Sequence, residues 1–86
     1  MLASSETTFE LPPGVDLHAR PAGLFVRTAM RFTSQITVAL GERQADAKSI
    51  LAILALCAKA GTTLRLHAVG DDAEAALATL SHILNA

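Results

Sequence analysis

The chain has 86 residues, 51% of them hydrophobic and 17% charged, with a formal net charge of −1. That length bounds it to one small domain, the apolar content excludes a disordered chain, and the scattered charges lack the basic stripe of a nucleic-acid binder. Cys57 is the single cysteine, so no disulfide forms within the chain, and the longest apolar run, 50–58, is too short to span a bilayer.

Residues 1–6 read as a frayed terminus, and the polar start from Met1 to Thr8 lacks the basic and apolar regions of a secretory signal. Thr7 to Leu11 alternates as a short strand does, and Pro12-Pro13-Gly14 ends it. Prolines so near a strand place it at a sheet edge, where a missing N–H costs nothing. Ala19 to Phe32 has helical spacing, with Ala22, Phe25, Val26, Ala29 and Phe32 on one face and Arg20, Arg27 and Arg31 away from it. Pro21 fits only the first turn, so this helix begins close to His18. Gln35 to Leu40 alternates cleanly, Gly41-Glu42 makes a hairpin tip, and Arg43 to Asp46 returns as a shorter polar strand. Ser49 caps a short helix over Ile50 to Cys57. Thr62 to Val69 alternates again, with Leu64, Leu66 and Ala68 on one side. Asp71 or Asp72 then caps a final helix with apolar positions Ala73, Ala76, Leu77, Leu80, Ile83 and Leu84. The order β-α-β-β-α-β-α, with strands covered on one face, predicts an α+β fold: an open-faced two-layer sandwich with helices on one side of an antiparallel sheet.

Two segments carry chemistry. A histidine at a helix start stands beside free N–H groups and the positive end of the helix dipole, which keep its ring neutral and nucleophilic. A phosphoryl group on its Nδ1 would find those N–H groups as donors, and Arg20 adds a permanent cation of suitable geometry. The second segment is Lys48-Ser49 and the helix after it, apolar on nearly every side. A helix on a sheet buries one stripe, so some of Ile50, Leu51 and Leu54 face outward as a contact surface. His67 falls on the polar side of its strand and His82 near a helix end. No pair of histidines has metal-ligand spacing, and Cys57 reads as a buried small hydrophobe. No metal or cofactor is implied.

His18-Ala19-Arg20-Pro21-Ala22, a helix, two strands and then Lys48-Ser49-Ile50-Leu51 resemble the HPr family, the histidine-containing phosphocarriers of the bacterial sugar phosphotransferase system. The resemblance runs from about Phe9 to Leu84 and takes in Phe32-Thr33-Ser34, Ile36-Thr37-Val38 and Gly70-Asp71. It implies a four-stranded sheet of order 1-4-2-3 with three helices on one face. It implies that His18 accepts a phosphoryl group at Nδ1 from phosphorylated Enzyme I and passes it to sugar-specific IIA domains, with Arg20 steadying the group. Ser49 matches the serine modified by an HPr kinase/phosphorylase. Ile50, Leu51, Leu54, Arg27 and Lys48 match the partner-docking surface. The expected protein is a cytoplasmic, monomeric, stoichiometric carrier, not an independent enzyme, with no nucleic-acid partner and no membrane insertion. The alternatives are a regulatory, nitrogen-related phosphocarrier using the same histidine and a non-phosphorylated HPr-like interaction domain. Two positions depart from the family pattern: Asp16 and Cys57 both stand where glycine is usual. Each is expected to strain its loop, Cys57 through a cap that requires positive φ.

Overall fold

The computed structural model describes residues 3–14, 16–17 and 19–84. Along the chain lie β1 (Ser4–Glu10), α1 (Ala19–Ala29), β2 (Gln35–Leu40), β3 (Arg43–Asp46), α2 (Ile50–Ala55), β4 (Thr63–Val69) and α3 (Ala73–Leu84). The strands form one antiparallel sheet of order β1-β4-β2-β3. The element order, the sheet order and the edge position of β1 are those expected.

Alternation sets the two sheet faces. In β4, Leu64, Leu66 and Ala68 are buried while Thr63, Arg65 and His67 are exposed. Ile36 and Val38 of β2 join the buried side. The helices cover this side with Ala22, Phe25, Val26 and Ala29 of α1, Ile53 of α2, and Ala76, Leu77 and Leu80 of α3. Phe25 is the largest fully buried side chain, as it must be in a chain without Trp or Tyr. The other sheet face stays open to water and carries Glu6, Thr37, Gln44, Arg65 and His67 around a shallow depression.

Three boundaries differ from the pattern. β1 begins at Ser4, so residues 4–6 pair with β4 where a frayed terminus is expected: Ser4 lies opposite Val69, Ser5 opposite Ala68 and Glu6 opposite His67. An edge strand is held by its backbone ladder and needs few apolar side chains, so its polar half leaves no sequence signal. α1 ends at Ala29, ahead of Phe32, and α2 ends at Ala55, ahead of Cys57. Within α1 the buried stripe also includes Thr28, whose hydroxyl donates to the Leu24 carbonyl at 2.8 Å and so satisfies itself inside its own helix.

The turn after α1 is locked by Asp72. The Thr33 and Ser34 N–H groups donate to its two carboxylate oxygens, each at 2.9 Å, and both hydroxyls donate as well. Asp72 does occupy the N-cap position of α3, its carbonyl accepting from Ala76 N–H at 2.9 Å. Its side chain, however, serves the distant turn and not its own helix. These donors hold its carboxyl down at about 2, the Ser34 hydroxyl contributing most and the Thr33 N–H next. Gly70 completes the lock. A Cβ there would stand 2.5 Å from the Ser34 hydroxyl oxygen and 2.7 Å from its Cα, and the residue has φ +149°.

Candidate functional site

The opposite end of α1 carries the first chemical segment. His18 lies outside the described residues, so the site is built from its neighbours. Leu17 is buried, and its N–H donates to the Ala58 carbonyl at 2.9 Å. Asp16, one residue earlier, accepts the Ala60 N–H on Oδ1 at 2.7 Å. Nearby, Leu11 exchanges bonds with the same stretch, donating to the Thr62 carbonyl and accepting from Gly61 N–H, each at 2.9 Å. The segment after α2 therefore brackets the loop between β1 and α1 at both ends.

α1 starts at Ala19, with no acidic residue in its first turn. Pro21 has no N–H, so the free first-turn donors of the helix are those of Ala19 and Arg20. Arg20 and Arg27 are exposed. With Leu24 they stand at i, i+4 and i+7, which places them on one stripe of the helix. The Arg27 side chain lies back over Gly23, its Nη1 3.5 Å from where a glycine Cβ would stand. Its guanidinium is thereby directed toward the start of the helix. Leu24 is 45% exposed and Met30 64% exposed, two apolar surface positions that the helical pattern does not single out. Their signal was present: both fall off the Ala22-Phe25-Val26-Ala29 stripe.

α2 supplies the second segment and packs beside α1. Ser49 is its N-cap, with extended backbone and a hydroxyl accepting Ala52 N–H at 3.2 Å. Leu51 is 77% exposed and Ile50 37%, Leu54 is half-buried against the core, and Ile53 and Leu56 are buried. Lys48 is less free than its place beside this surface suggests. Its Nζ donates to the Phe32 carbonyl at 2.7 Å, tying the start of α2 to the end of α1. At the other end of α2, Arg43 Nη2 donates to the Leu56 carbonyl at 2.9 Å. The structure thus gathers Ser49, Ile50, Leu51 and Leu54 on α2, and Arg20 and Arg27 on the adjoining helix.

Residues 5–86 match the family model described as "PTS HPr component phosphorylation site". The chain is 37% identical over 70 residues to the phosphocarrier protein HPr of Mycoplasma capricolum, covering 81% of this chain and 79% of that one. The chain belongs to the HPr family. It is also 42% identical over 65 residues to the HPr-like protein Crh of Bacillus subtilis, covering 76% of each chain. The structure of HPr-C-His from Thermoanaerobacter tengcongensis superposes with a TM-score of 0.90 at 42% identity, covering 94% of this chain and 91% of that one.

The two departures from the HPr pattern behave differently. Among the described residues Cys57 is the one non-glycine at positive φ, at +52°. It ends α2 in the left-handed region at a cost of about 1 kcal/mol. The expectation of a buried cysteine is corrected: with its backbone turned this way the side chain is exposed. At Asp16 the difference lies in the side chain. Its carboxylate gains the Ala60 N–H, a role that glycine could not take. His67 and His82 are exposed. Among the described residues no helix is long and apolar enough to cross a membrane, and no cluster of three His, Cys, Asp or Glu side chains is gathered.

Proposed function

We propose that this HPr-family chain is a cytoplasmic phosphocarrier of a sugar phosphotransferase system. His18 Nδ1 attacks the phosphoryl group of phosphorylated Enzyme I. The bond from phosphorus to the donor nitrogen breaks as the new P–Nδ1 bond forms. The group then leaves to a sugar-specific IIA domain by the reverse displacement, and His18 is regenerated. The chain is a stoichiometric carrier in this reading and turns over nothing alone.

The observation that carries the reading is the family match across 5–86, which spans His18-Ala19-Arg20-Pro21, together with a helix that starts at Ala19. Free N–H groups and the helix dipole favour an anion there, and Arg20 adds a planar donor for phosphoryl oxygens. Exposed Ile50 and Leu51, with Leu54, Arg27 and Lys48 nearby, form the proposed docking face. Ser49 is the proposed kinase site: phosphate on its hydroxyl would put about −1.5 to −2 charge in the middle of that face and repel an acidic partner.

The test is incubation with Enzyme I and phosphoenolpyruvate, followed by mass measurement. The expected product carries one acid-labile, base-stable phosphoryl group, absent in His18→Ala. Uptake that persists in that variant refutes the assignment. Leu51→Glu is expected to weaken transfer while the fold stays intact.

A further inference from the structure

Asp16 is used by nothing described so far, yet it sits two residues before the proposed acceptor. It is half-buried, and its carboxylate reaches a backbone N–H 44 residues away, on the loop between α2 and β4. Leu17, the residue between, donates to Ala58 in the same stretch and buries its side chain in the core. Ala19 then opens α1. The backbone entering His18 is therefore held by two bonds to one short segment, one of them made by a side chain.

We propose that Asp16 is a positioning residue for phosphoryl transfer: its bond to Ala60 N–H fixes the backbone that presents His18. The inference rests on the phosphocarrier reading. Without the Asp16 acceptor, the Ala60 N–H loses its partner, and among the described residues between Gly14 and α1 the Leu17 bond is the anchor that stays. Gly14, at φ +81°, offers little resistance to rotation on the far side. Transfer between two nitrogens needs in-line alignment, and small misplacements far from the chemistry slow such steps severely. Position, and not charge, is what Asp16 supplies. Lys59, the basic residue lining the same hollow as Asp16, makes no hydrogen bond to the carboxylate.

Two conservative variants separate position from charge. Asp16→Asn keeps an oxygen where Oδ1 stands and loses the charge. Asp16→Glu keeps the charge and displaces the oxygens by one methylene. Transfer from phosphorylated Enzyme I is measured against carrier concentration, with Ala60 amide exchange and the His18 ring signal followed by NMR. In Asp16→Ala, kcat is expected to fall about tenfold, KM to stay within about twofold, and Ala60 exchange to accelerate. Asp16→Asn restores kcat and Ala60 protection, whereas Asp16→Glu restores neither fully. That ranking of the two conservative variants is readable even where Asp16→Ala does not fold. An unchanged kcat in Asp16→Ala, a change confined to KM, or Asp16→Glu outperforming Asp16→Asn overturns the proposal. Absence of uptake in the wild-type chain overturns the phosphocarrier reading and this inference together. Normal wild-type uptake with an indifferent Asp16→Ala overturns the inference alone.

Discussion

Two aspartates fasten the two ends of α1, and they do so unequally. Asp72 takes four donors from the turn after the helix, and Gly70 lets the Ser34 backbone press against it. Among the described residues Asp16 takes one N–H, at the loop before the helix. The first end is overdetermined, with every carboxylate oxygen used and no room for a methyl group. Among the described residues the second is held by one side-chain bond and one backbone bond, beside a cysteine in an unfavourable conformation. The difference suits the proposed function, in which this end gains and loses a bulky anion and meets partners, because tight packing resists such changes.

The largest effect is expected at the rigid end. Gly70→Ala places a Cβ against Ser34 backbone and should cost about 3 kcal/mol or more, read from urea denaturation. A loss below about 1 kcal/mol would show that this end is softer than its geometry and erase the contrast. Next comes acid. The Asp72 carboxyl is lowered from 3.8 to about 2, so the stability it provides is complete above pH 4 and is lost as pH falls toward 2. Melting temperature should drop across that window, and Asp72→Asn should flatten the drop. An unchanged profile would remove Asp72 from the account. The smallest effect lies at the lightly held end: Cys57→Gly relieves the positive φ and should stabilise the fold by about 0.5–1 kcal/mol. A destabilised Cys57→Gly would mean that the side chain contributes contacts that outweigh its backbone strain.

Much of this was legible in the residues, for identifiable reasons. β4 buries one face only, and β2 does so apart from Ala39, so their alternation states both existence and direction. α3 declares itself through its apolar spacing. The short polar half of β1 is silent because its ladder to β4 involves main-chain groups alone. The Ser49 cap could be read because its bond spans three residues, from the hydroxyl to Ala52. The bonds made by Asp16 and Asp72 span 44 and 38–39 residues, and no local pattern announces them. Lys48 illustrates the same limit: its spacing places it near the α2 surface, but its reach to the Phe32 carbonyl depends on how two helices pack.

The sheet order also governs when the molecule can assemble. β4 lies between β1 and β2, yet it is the last strand in the chain. Until residues 63–69 have left the ribosome, β1 has no neighbour to pair with, and the β2–β3 hairpin exposes one long edge. A two-stranded hairpin is marginal in water, so little of the sheet can persist before β4 has emerged. Sheet assembly should therefore wait for β4, whose insertion is the committing step, and until then the nascent chain should rely on its own helices or on chaperones to keep that edge from other strands.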